Sequence, residues 1–382
     1  MLRICLLTAG LLCSLYEPPF CLAERSDLTT IDEQRRSPHQ PPKTEPMVWS
    51  GALSLHFEIP ELGLTYQRAL QDAKRLGLTH VALVAQAALR DVYSDEVSLS
   101  HDHATPLETV RRVALSARAQ GLDVIIFPII WVEERATGEW RGTLRPRHPD
   151  RWWESYERWI QALAHIATEC GATHLSIGSE LSSLERDEGR WRALIRRLRA
   201  SFGGKLIYSA NWDHYAAIRF WDALDMVGVT GYYPLADPKT ERDSLESVET
   251  PTVASMTERW RWVRLMLTEW LDTLKPPASL MITELGYPSQ RGGAARPWHY
   301  TQSTLIDLEV QRRAFMAFAR GWVGERRLGG VNIWNLWGLG GAQDTWYTLR
   351  GKPAFGEVQS LITQMKTRAA IKSDEQRGET DE

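Results

Sequence analysis

Eight short apolar segments recur along the chain, and amphipathic helical stretches lie between them. The segments are Ala52–Phe57, Thr79–Ala85, Asp123–Ile130, His174–Ile177, Lys205–Ser209, Met226–Thr230, Leu280–Thr283 and Gly330–Trp334. Apolar runs of this length suit parallel strands that helices cover. Eight such units favour a closed barrel, because a doubly wound sheet usually has fewer strands and a glycine-rich first turn. The sequence therefore predicts an α/β fold, a single (β/α)8 TIM barrel.

The intervening segments show helical periodicity, most clearly after the second strand. The run from Thr105 to Glu108 predicts an N-cap, a proline at the first helical position and a capping-box glutamate. Gly121 follows this helix where a left-handed cap is wanted. Further helices are predicted over Arg151–Cys170, Asp187–Phe202, Met256–Leu274, Leu308–Trp322 and Phe355–Met365.

The first 23 residues have the features of a secretory signal peptide. Arg3 precedes the apolar run Ile4–Leu15, which is too short to span a membrane comfortably. We therefore expect a secreted or periplasmic protein with no stable membrane insertion after cleavage. Membrane anchoring through the same segment is the alternative. Three of the four cysteines lie in this segment, so cleavage would leave only Cys170 and no internal disulfide.

Residues 24–48 are polar and rich in proline, which indicates a flexible linker. Residues 366–382 are charged and lack apolar periodicity, which predicts a disordered tail. The folded barrel is then expected over 49–365. No further linker interrupts it, so one domain is predicted.

Composition and motifs exclude several classes of function. The net charge is −3 and no long basic run occurs, so we expect no nucleic-acid partner. The motifs H-E-x-x-H, C-x-x-C and G-x-S-x-G are absent from the sequence. The pair His101 and His103 has no obvious third ligand nearby, so we expect no metal site. We also expect no cofactor and a monomeric protein. The 17 tryptophans outnumber the 11 tyrosines and 8 phenylalanines, and such rings can stack on sugars as well as pack a core.

Two carboxylates stand at the ends of predicted strands. Glu180 follows the fourth strand and Glu284 follows the seventh. The carboxyl ends of the strands form the active-site face of such a barrel, so the two side chains are expected at one mouth. Glycoside hydrolysis requires a pair of this kind, with one carboxyl protonated and the other ionised.

Other strand ends carry aromatic, amide and imidazole groups that suit a ligand rich in hydroxyls. The candidate substrate-binding residues at these strand ends are His56, Trp131, Asn211, Trp212, Tyr232, Trp334 and Trp337. Each alone fits a structural role. Their concentration at one rim favours a carbohydrate substrate.

Several segments in this order resemble glycoside hydrolase family 113, a family of retaining clan A-type barrels whose characterised members are mainly β-1,4-mannanases. They are Trp140–Gly142, Ile177–Leu181, Ser209–Asp213, Phe220–Asp222, Tyr232–Leu235, Thr283–Ser289, Pro297–Trp298 and Gly351–Ala354. The resemblance implies Glu180 as the acid/base and Glu284 as the nucleophile. It also implies that Tyr232 hydrogen-bonds the nucleophile and that Trp334 floors the sugar subsite beside the cleaved bond. Asn211 and Trp212 would line this pocket, with Trp298 among the binding residues.

The expected reaction is a double displacement on a β-linked glycan, with β-1,4-mannan as the candidate polymer. Two alternatives remain open. One is a hydrolase or transglycosylase of an exported bacterial polysaccharide, and the other is a non-catalytic barrel that only binds glycan.

Overall fold

Eight parallel strands close into a barrel in chain order, which confirms the predicted (β/α)8 fold. The computed structural model describes residues 46–55, 57–237 and 249–378, with side chains up to residue 367. The strands are β1 Val48–Ser54, β2 His80–Leu89, β3 Asp123–Val132, β4 His174–Ser179, β5 Lys205–Ala210, β6 Met226–Thr230, β7 Ser279–Leu285 and β8 Leu328–Ile333.

Seven helices surround this barrel in the described part of the chain. They are α1 Tyr66–Leu76, α2 Leu107–Ala119, α3 Pro149–Glu169, α4 Glu188–Ser201, α5 Val253–Leu271, α6 Leu308–Trp322 and α7 Ala354–Gly378. Short 3-10 turns at Tyr215–Ala217 and Trp221–Ala223 make the connection between β5 and β6. The described helices include none with the length and apolar character needed to cross a bilayer. The predicted signal segment lies outside the described residues, as does the predicted linker up to residue 45.

Two local predictions near the start of the barrel were wrong. The first strand begins at Val48 rather than Ala52. The polar Ser50 interrupts the apolar pattern, yet it belongs to the strand, points into the barrel and donates its hydroxyl to Asn332 Oδ1 at 2.8 Å. Thr105 does not cap α2; Pro106 occupies that position. The Thr105 hydroxyl instead donates to the Leu55 carbonyl at 2.9 Å and accepts the Gln86 N–H.

The last helix is longer than predicted. It was expected over Phe355–Met365 and runs on to Gly378, so 366–378 are helical where a disordered tail was expected. Alanine, lysine, arginine, glutamate and glutamine dominate this stretch and are strong helix formers. Residues 379–382 lie outside the described residues.

The barrel interior is apolar in its middle and polar above. Ten side chains form the inner apolar cluster: Val48, Ala52, Ala82, Val84, Ile125, Phe127, Ile129, Ile207, Met226 and Met281. Above them Ser209 and Thr283 share a hydrogen bond of 2.7 Å, and Asn332 Nδ2 donates to the Thr283 carbonyl. These three side chains are hydrogen-bonded, which permits their burial.

Two histidines lie buried near the amino-terminal end of the barrel. His80 starts β2 and His174 starts β4, and their rings meet edge to face with centroids 5.4 Å apart. Each Nδ1 shares a hydrogen bond with the preceding threonine hydroxyl, at 2.7 Å for Thr79 and 2.8 Å for Thr173. Burial lowers the pKa of both imidazoles to about 4, so they are neutral at neutral pH.

Candidate active site

The two predicted carboxylates lie at the carboxyl end of the barrel. Glu180 is the first residue after β4, and Glu284 is the penultimate residue of β7. Both are almost inaccessible, with 3% and 0% of the residue exposed. Burial of two acids at one mouth is costly unless each has hydrogen-bond partners.

Irregular strands bring these carboxylates to the mouth. Between β6 and β7 the pairing runs from Val229 with Ile282 to Thr230 with Glu284, so β7 carries one extra residue. Strict alternation would send Thr283 inward and Glu284 outward, and the extra residue turns both towards the interior. A second extra residue lies in β4 just before Ser179.

Glu284 is held by two hydroxyl donors. Tyr232, two residues beyond β6, donates to Oε2 at 2.8 Å, and Ser179 Oγ lies 3.4 Å from Oε1. Burial and the like charge of Glu180 raise the pKa of Glu284, whereas the two hydroxyls and the Arg141 charge oppose that rise. The donors therefore favour the ionised form of a group that burial pushes towards neutrality.

Glu180 has a cation as its main partner. Arg141, in the loop between β3 and α3, donates Nη2 to Oε2 at 2.5 Å, and only 8% of its side chain is exposed. Burial raises the pKa of Glu180, and Arg141 acts in the opposite direction. The Thr230 hydroxyl also lowers the pKa of Glu180. The backbone of Glu180 has a φ of 54°, an uncommon value for a residue other than glycine and one that recurs at functional sites.

The loops that carry Arg141 and Glu180 are joined by hydrogen bonds. The Ser183 N–H donates to the Gly142 carbonyl at 3.0 Å, and the Ser183 hydroxyl donates to the Leu144 carbonyl at 2.8 Å. The β3–α3 loop and the turn after β4 therefore form one bonded unit around the ion pair.

An aromatic cluster lines the same end of the barrel. Its members are Tyr232, Tyr300 and Tyr347, with Trp212, Trp298 and Trp334 packed against them. The rings of Trp212 and Trp298 are stacked, with centroids 5.7 Å apart and planes 16° apart. Four of the eight predicted substrate-binding residues thus fall in one cluster, and one of the four, Tyr232, bonds Glu284.

Trp334 follows β8 in close contact with the segment after Glu284. Its N–H donates to the Leu285 carbonyl at 2.8 Å, and its peptide bond to Asn335 is cis. A Cβ on Gly286 would lie 2.5 Å from the Trp334 carbonyl oxygen, so only glycine fits here. This contact explains the glycine that follows Glu284 in the Thr-Glu-x-Gly motif.

The other predicted binding residues have different surroundings. The buried Asn211 donates Nδ2 to Asp213 at 2.9 Å and accepts the Trp212 N–H. Trp131 lies beside the His103 ring at 4.7 Å, with the Arg135 guanidinium 5.1 Å from its centroid. Trp337 packs on Tyr66 at the start of α1. His56 lies outside the described residues.

His101 and His103 lie in the connection between β2 and α2. His101 Nε2 lies 2.7 Å from Glu133 Oε2, and the His103 ring stacks on that of His101. Within the residues that the structure describes, no group of three side chains could hold a metal ion.

Sequence reasoning assigned no role to Arg141, Thr230 or Tyr347. Arg141 was noted only within the Trp-Arg-Gly segment of the family resemblance. A single arginine in a loop has no periodicity, so only tertiary structure shows its contact with Glu180. The sequence does carry a signal for Thr230. This residue ends an apolar strand, and Tyr232, two positions later, is a candidate binding residue.

Comparison with known proteins agrees with this geometry. The sequence profile of Glycoside Hydrolase Family 113 matches residues 65–352. A solved complex of a family 113 β-1,4-mannanase has a TM-score of 0.71 at 20% identity, over 83% of this chain and 99% of that one. The β-mannanase AaManA from Alicyclobacillus acidocaldarius, in complex with ManMIm, has a TM-score of 0.71 at 22% identity, over 84% and 98%.

A more distant fold neighbour is a family 5 xyloglucanase from Paenibacillus pabuli. Its TM-score is 0.56 at 11% identity, over 85% of this chain and 99% of that one. A search of curated proteins finds no match. At these identities the solved structures show the fold, whereas the profile match over most of the chain shows the family. The protein therefore belongs to glycoside hydrolase family 113 and is a glycoside hydrolase.

Proposed function

We propose that the protein is a retaining hydrolase of β-linked glycans in which Glu284 is the nucleophile and Glu180 the acid/base. The observation that carries this assignment is the buried pair at one barrel mouth, with Tyr232 bonded to Glu284. Two buried acids at one barrel mouth, of which one must be protonated and the other ionised, are the arrangement that this chemistry requires.

In the first step a Glu284 oxygen attacks the anomeric carbon of the bound sugar. The bond from that carbon to the leaving oxygen breaks, and Glu180 delivers its proton to that oxygen. The product is a covalent glycosyl-enzyme on Glu284. In the second step Glu180 removes a proton from water, whose oxygen attacks the anomeric carbon and releases Glu284. Two inversions give net retention of configuration.

The partners of each carboxylate assist this sequence differently. Tyr232 and Ser179 favour an ionised Glu284, which is the form that attacks. Arg141 favours an ionised Glu180, which is the form needed to activate water in the second step. For the first step Glu180 must carry the proton that it donates, so we expect the Arg141 contact to lengthen when the scissile oxygen arrives.

The proposed substrate is β-1,4-mannan or an oligosaccharide derived from it. Two similar solved structures are described as a β-1,4-mannanase and a β-mannanase. The cluster of Trp212, Trp298 and Trp334 beside the carboxylates supplies rings on which the apolar faces of sugars can stack. We further propose that the protein is secreted or periplasmic, because residues 1–23 have the pattern of a signal peptide. We also propose that the folded unit of residues 49–365 is a monomer.

The test is to incubate the purified protein with a panel of β-linked oligosaccharides, mannan-derived ones included, and to follow the products by anomeric NMR. We expect initial release of the β-anomer from a mannan oligosaccharide. Glu180→Gln is the matched control, because it should bind the oligosaccharide while losing hydrolysis. Initial release of the α-anomer would overturn the retaining mechanism.

Two other outcomes separate the remaining functions. Hydrolysis of a bacterial polysaccharide but of no mannan would replace the proposed substrate. Binding without hydrolysis by the wild type would favour a glycan-binding barrel.

A further inference from the structure

A chain of hydrogen bonds lies behind Glu180, outside the substrate-facing site. The N–H of Leu181 donates to the Tyr208 hydroxyl at 2.9 Å, and that hydroxyl donates to Glu185 Oε1 at 2.7 Å. Glu185 Oε2 lies 2.5 Å from His214 Nδ1. The chain thus links the residue after the acid/base to an imidazole on the next loop.

The middle of this chain is buried and closely packed. Tyr208 is fully buried on β5, and its ring packs edge to face on Trp191 at 5.2 Å and Phe220 at 5.5 Å. The Glu185 side chain is 2% exposed, whereas that of His214 is 42% exposed. Packing orients the Tyr208 ring, and the bonds from Tyr208 and His214 orient the Glu185 carboxylate, so the hydroxyl lies between the Leu181 N–H and Glu185.

The turn that receives this hydroxyl has an unusual backbone. Glu180 has a φ of 54°, and its N–H donates to the Ser209 carbonyl at 2.7 Å. Two neighbouring residues of β5, Tyr208 and Ser209, therefore hold two successive N–H groups of the turn. Without the Tyr208 hydroxyl the buried Leu181 N–H would have no partner from β5, and the left-handed turn would lose one of its two anchors.

Gly178 shows that this packing is built into the strand. A Cβ there would lie 2.8 Å from the Tyr156 hydroxyl and 3.0 Å from the Tyr208 ring. The Gly-x-Glu spacing therefore leaves room for the side chain that holds the turn.

We propose that Tyr208 is a positioning residue for the acid/base Glu180, held in place by Glu185 and His214. This role rests on the proposed function, because proton delivery requires the carboxyl within hydrogen-bond reach of the leaving oxygen. None of the three side chains needs to touch substrate. Their effect on the reaction runs through the backbone of the turn.

A leaving-group comparison separates positioning from a general structural role. Dinitrophenolate departs without help from an acid, whereas phenolate needs the proton from Glu180. The probes are 2,4-dinitrophenyl β-mannobioside and phenyl β-mannobioside. We expect Tyr208→Phe to lower kcat/KM about tenfold or more for the phenyl substrate and less than about twofold for the dinitrophenyl substrate. An equal loss on both substrates, or no loss on either, would overturn the proposal.

Tyr156→Phe is the matched control. It also removes a buried hydroxyl that bonds β4, at the Ile177 carbonyl (2.7 Å), but it leaves the turn itself untouched. We expect it to lower the thermal midpoint as Tyr208→Phe does, with no leaving-group dependence. Leaving-group dependence as large as that of Tyr208→Phe would instead assign the effect to the strand.

Variants of Glu185 and His214 test whether the effect decreases with distance along the hydrogen-bonded chain from Leu181. They also replace Tyr208→Phe if that variant does not fold. Glu185→Gln keeps an acceptor for Tyr208 but loses the charge that faces His214. We expect the leaving-group effect to decline from Tyr208→Phe to Glu185→Gln to His214→Asn. An effect of His214→Asn larger than that of Glu185→Gln would contradict the order of contacts.

Amide hydrogen exchange gives a readout that does not depend on activity. We expect the Leu181 amide to exchange at least about tenfold faster in Tyr208→Phe, with the strands unaffected. Unchanged protection of Leu181 would overturn the positioning role even if the enzyme is active. Failure of the wild type on both mannobiosides would count against the proposed substrate instead, and the exchange result would still decide the role of Tyr208.

Discussion

Both ends of the barrel bury a pair of ionisable side chains, but they treat the charge differently. At the amino-terminal end, burial lowers the pKa of His80 and His174 to about 4, and each imidazole shares a bond with a neutral hydroxyl. At the carboxyl end, Glu180 and Glu284 are buried more deeply still, but they have a guanidinium and a phenol as partners.

The difference shows where a barrel can keep charge. Burial pushes both pairs towards their neutral forms, imidazoles downward in pKa and carboxyls upward. The two imidazoles are therefore neutral at pH 7 and pack against each other. The carboxylates are partly held against it by Arg141, Tyr232 and Ser179. Strong opposing effects of burial and of bonded partners on the pKa of a carboxyl are typical of a group that changes protonation during a reaction.

The largest expected effect comes from removing a charge at the carboxyl end. Glu284→Gln should lower kcat/KM by about 10⁴-fold or more, because an amide cannot form the covalent intermediate. It should leave the free energy of unfolding unchanged or higher, since one buried like charge disappears. The measurements are oligosaccharide hydrolysis and urea unfolding at pH 7. His80→Asn at the opposite end is the control and should retain activity; if it loses activity as Glu284→Gln does, the two ends are not functionally separate.

The second effect concerns stability in acid. The pKa of each histidine is about 4 in the folded protein and about 6.5 in an unfolded chain, so between these values the unfolded chain binds more protons. Stability that is present above pH 6.5 is therefore lost as the pH falls towards 4. Each imidazole should account for about 2 kcal/mol of unfolding free energy between pH 7.5 and pH 5. In His174→Asn this pH difference should shrink by about that amount in urea titrations; an unchanged difference would show that His174 is not kept neutral by the fold.

The third effect tests the cation at the carboxyl end. Arg141 stabilises ionised Glu180, so Arg141→Met should raise the pKa of Glu180 in the free enzyme. Because the acid must be protonated for the first step, the basic limb of the kcat/KM profile should move to higher pH by about one unit. Arg141→Lys keeps the charge and should shift the limb less. A basic limb that stays in place in Arg141→Met would mean that Arg141 does not set the protonation of Glu180.

The smallest effect separates the two donors to Glu284. The Ser179 contact is 3.4 Å and the Tyr232 contact is 2.8 Å, so the serine bond is weaker. Ser179→Ala should lower kcat about threefold and Tyr232→Phe about tenfold or more. The reverse order in steady-state kinetics would mean that the two hydroxyls exchange roles when substrate binds.

The architecture and the central pair were accessible from sequence because they depend on local patterns. Glu180 and Glu284 each follow an apolar run, and in a parallel barrel such positions converge at one end. The orientation of Glu284 was not accessible, because it depends on one extra residue in β7 that alternation does not reveal. Arg141 and Tyr208 act through contacts between elements far apart in the chain, for which periodicity carries no signal. The helical continuation to Gly378 has a different signal, because residues 366–378 lack apolar periodicity and only their helix propensity indicates a helix.

The bonds from Ser183 to the β3–α3 loop have a consequence for redesign of substrate preference. Exchange of loops between related barrels assumes that each loop after a strand can be replaced independently of its neighbours. In this protein a graft of either connection alone would bring a foreign backbone against Gly142 or Ser183 and displace the guanidinium from its acid. The β3–α3 loop and the turn after β4 therefore have to be replaced together, in a single variant or in a recombination library.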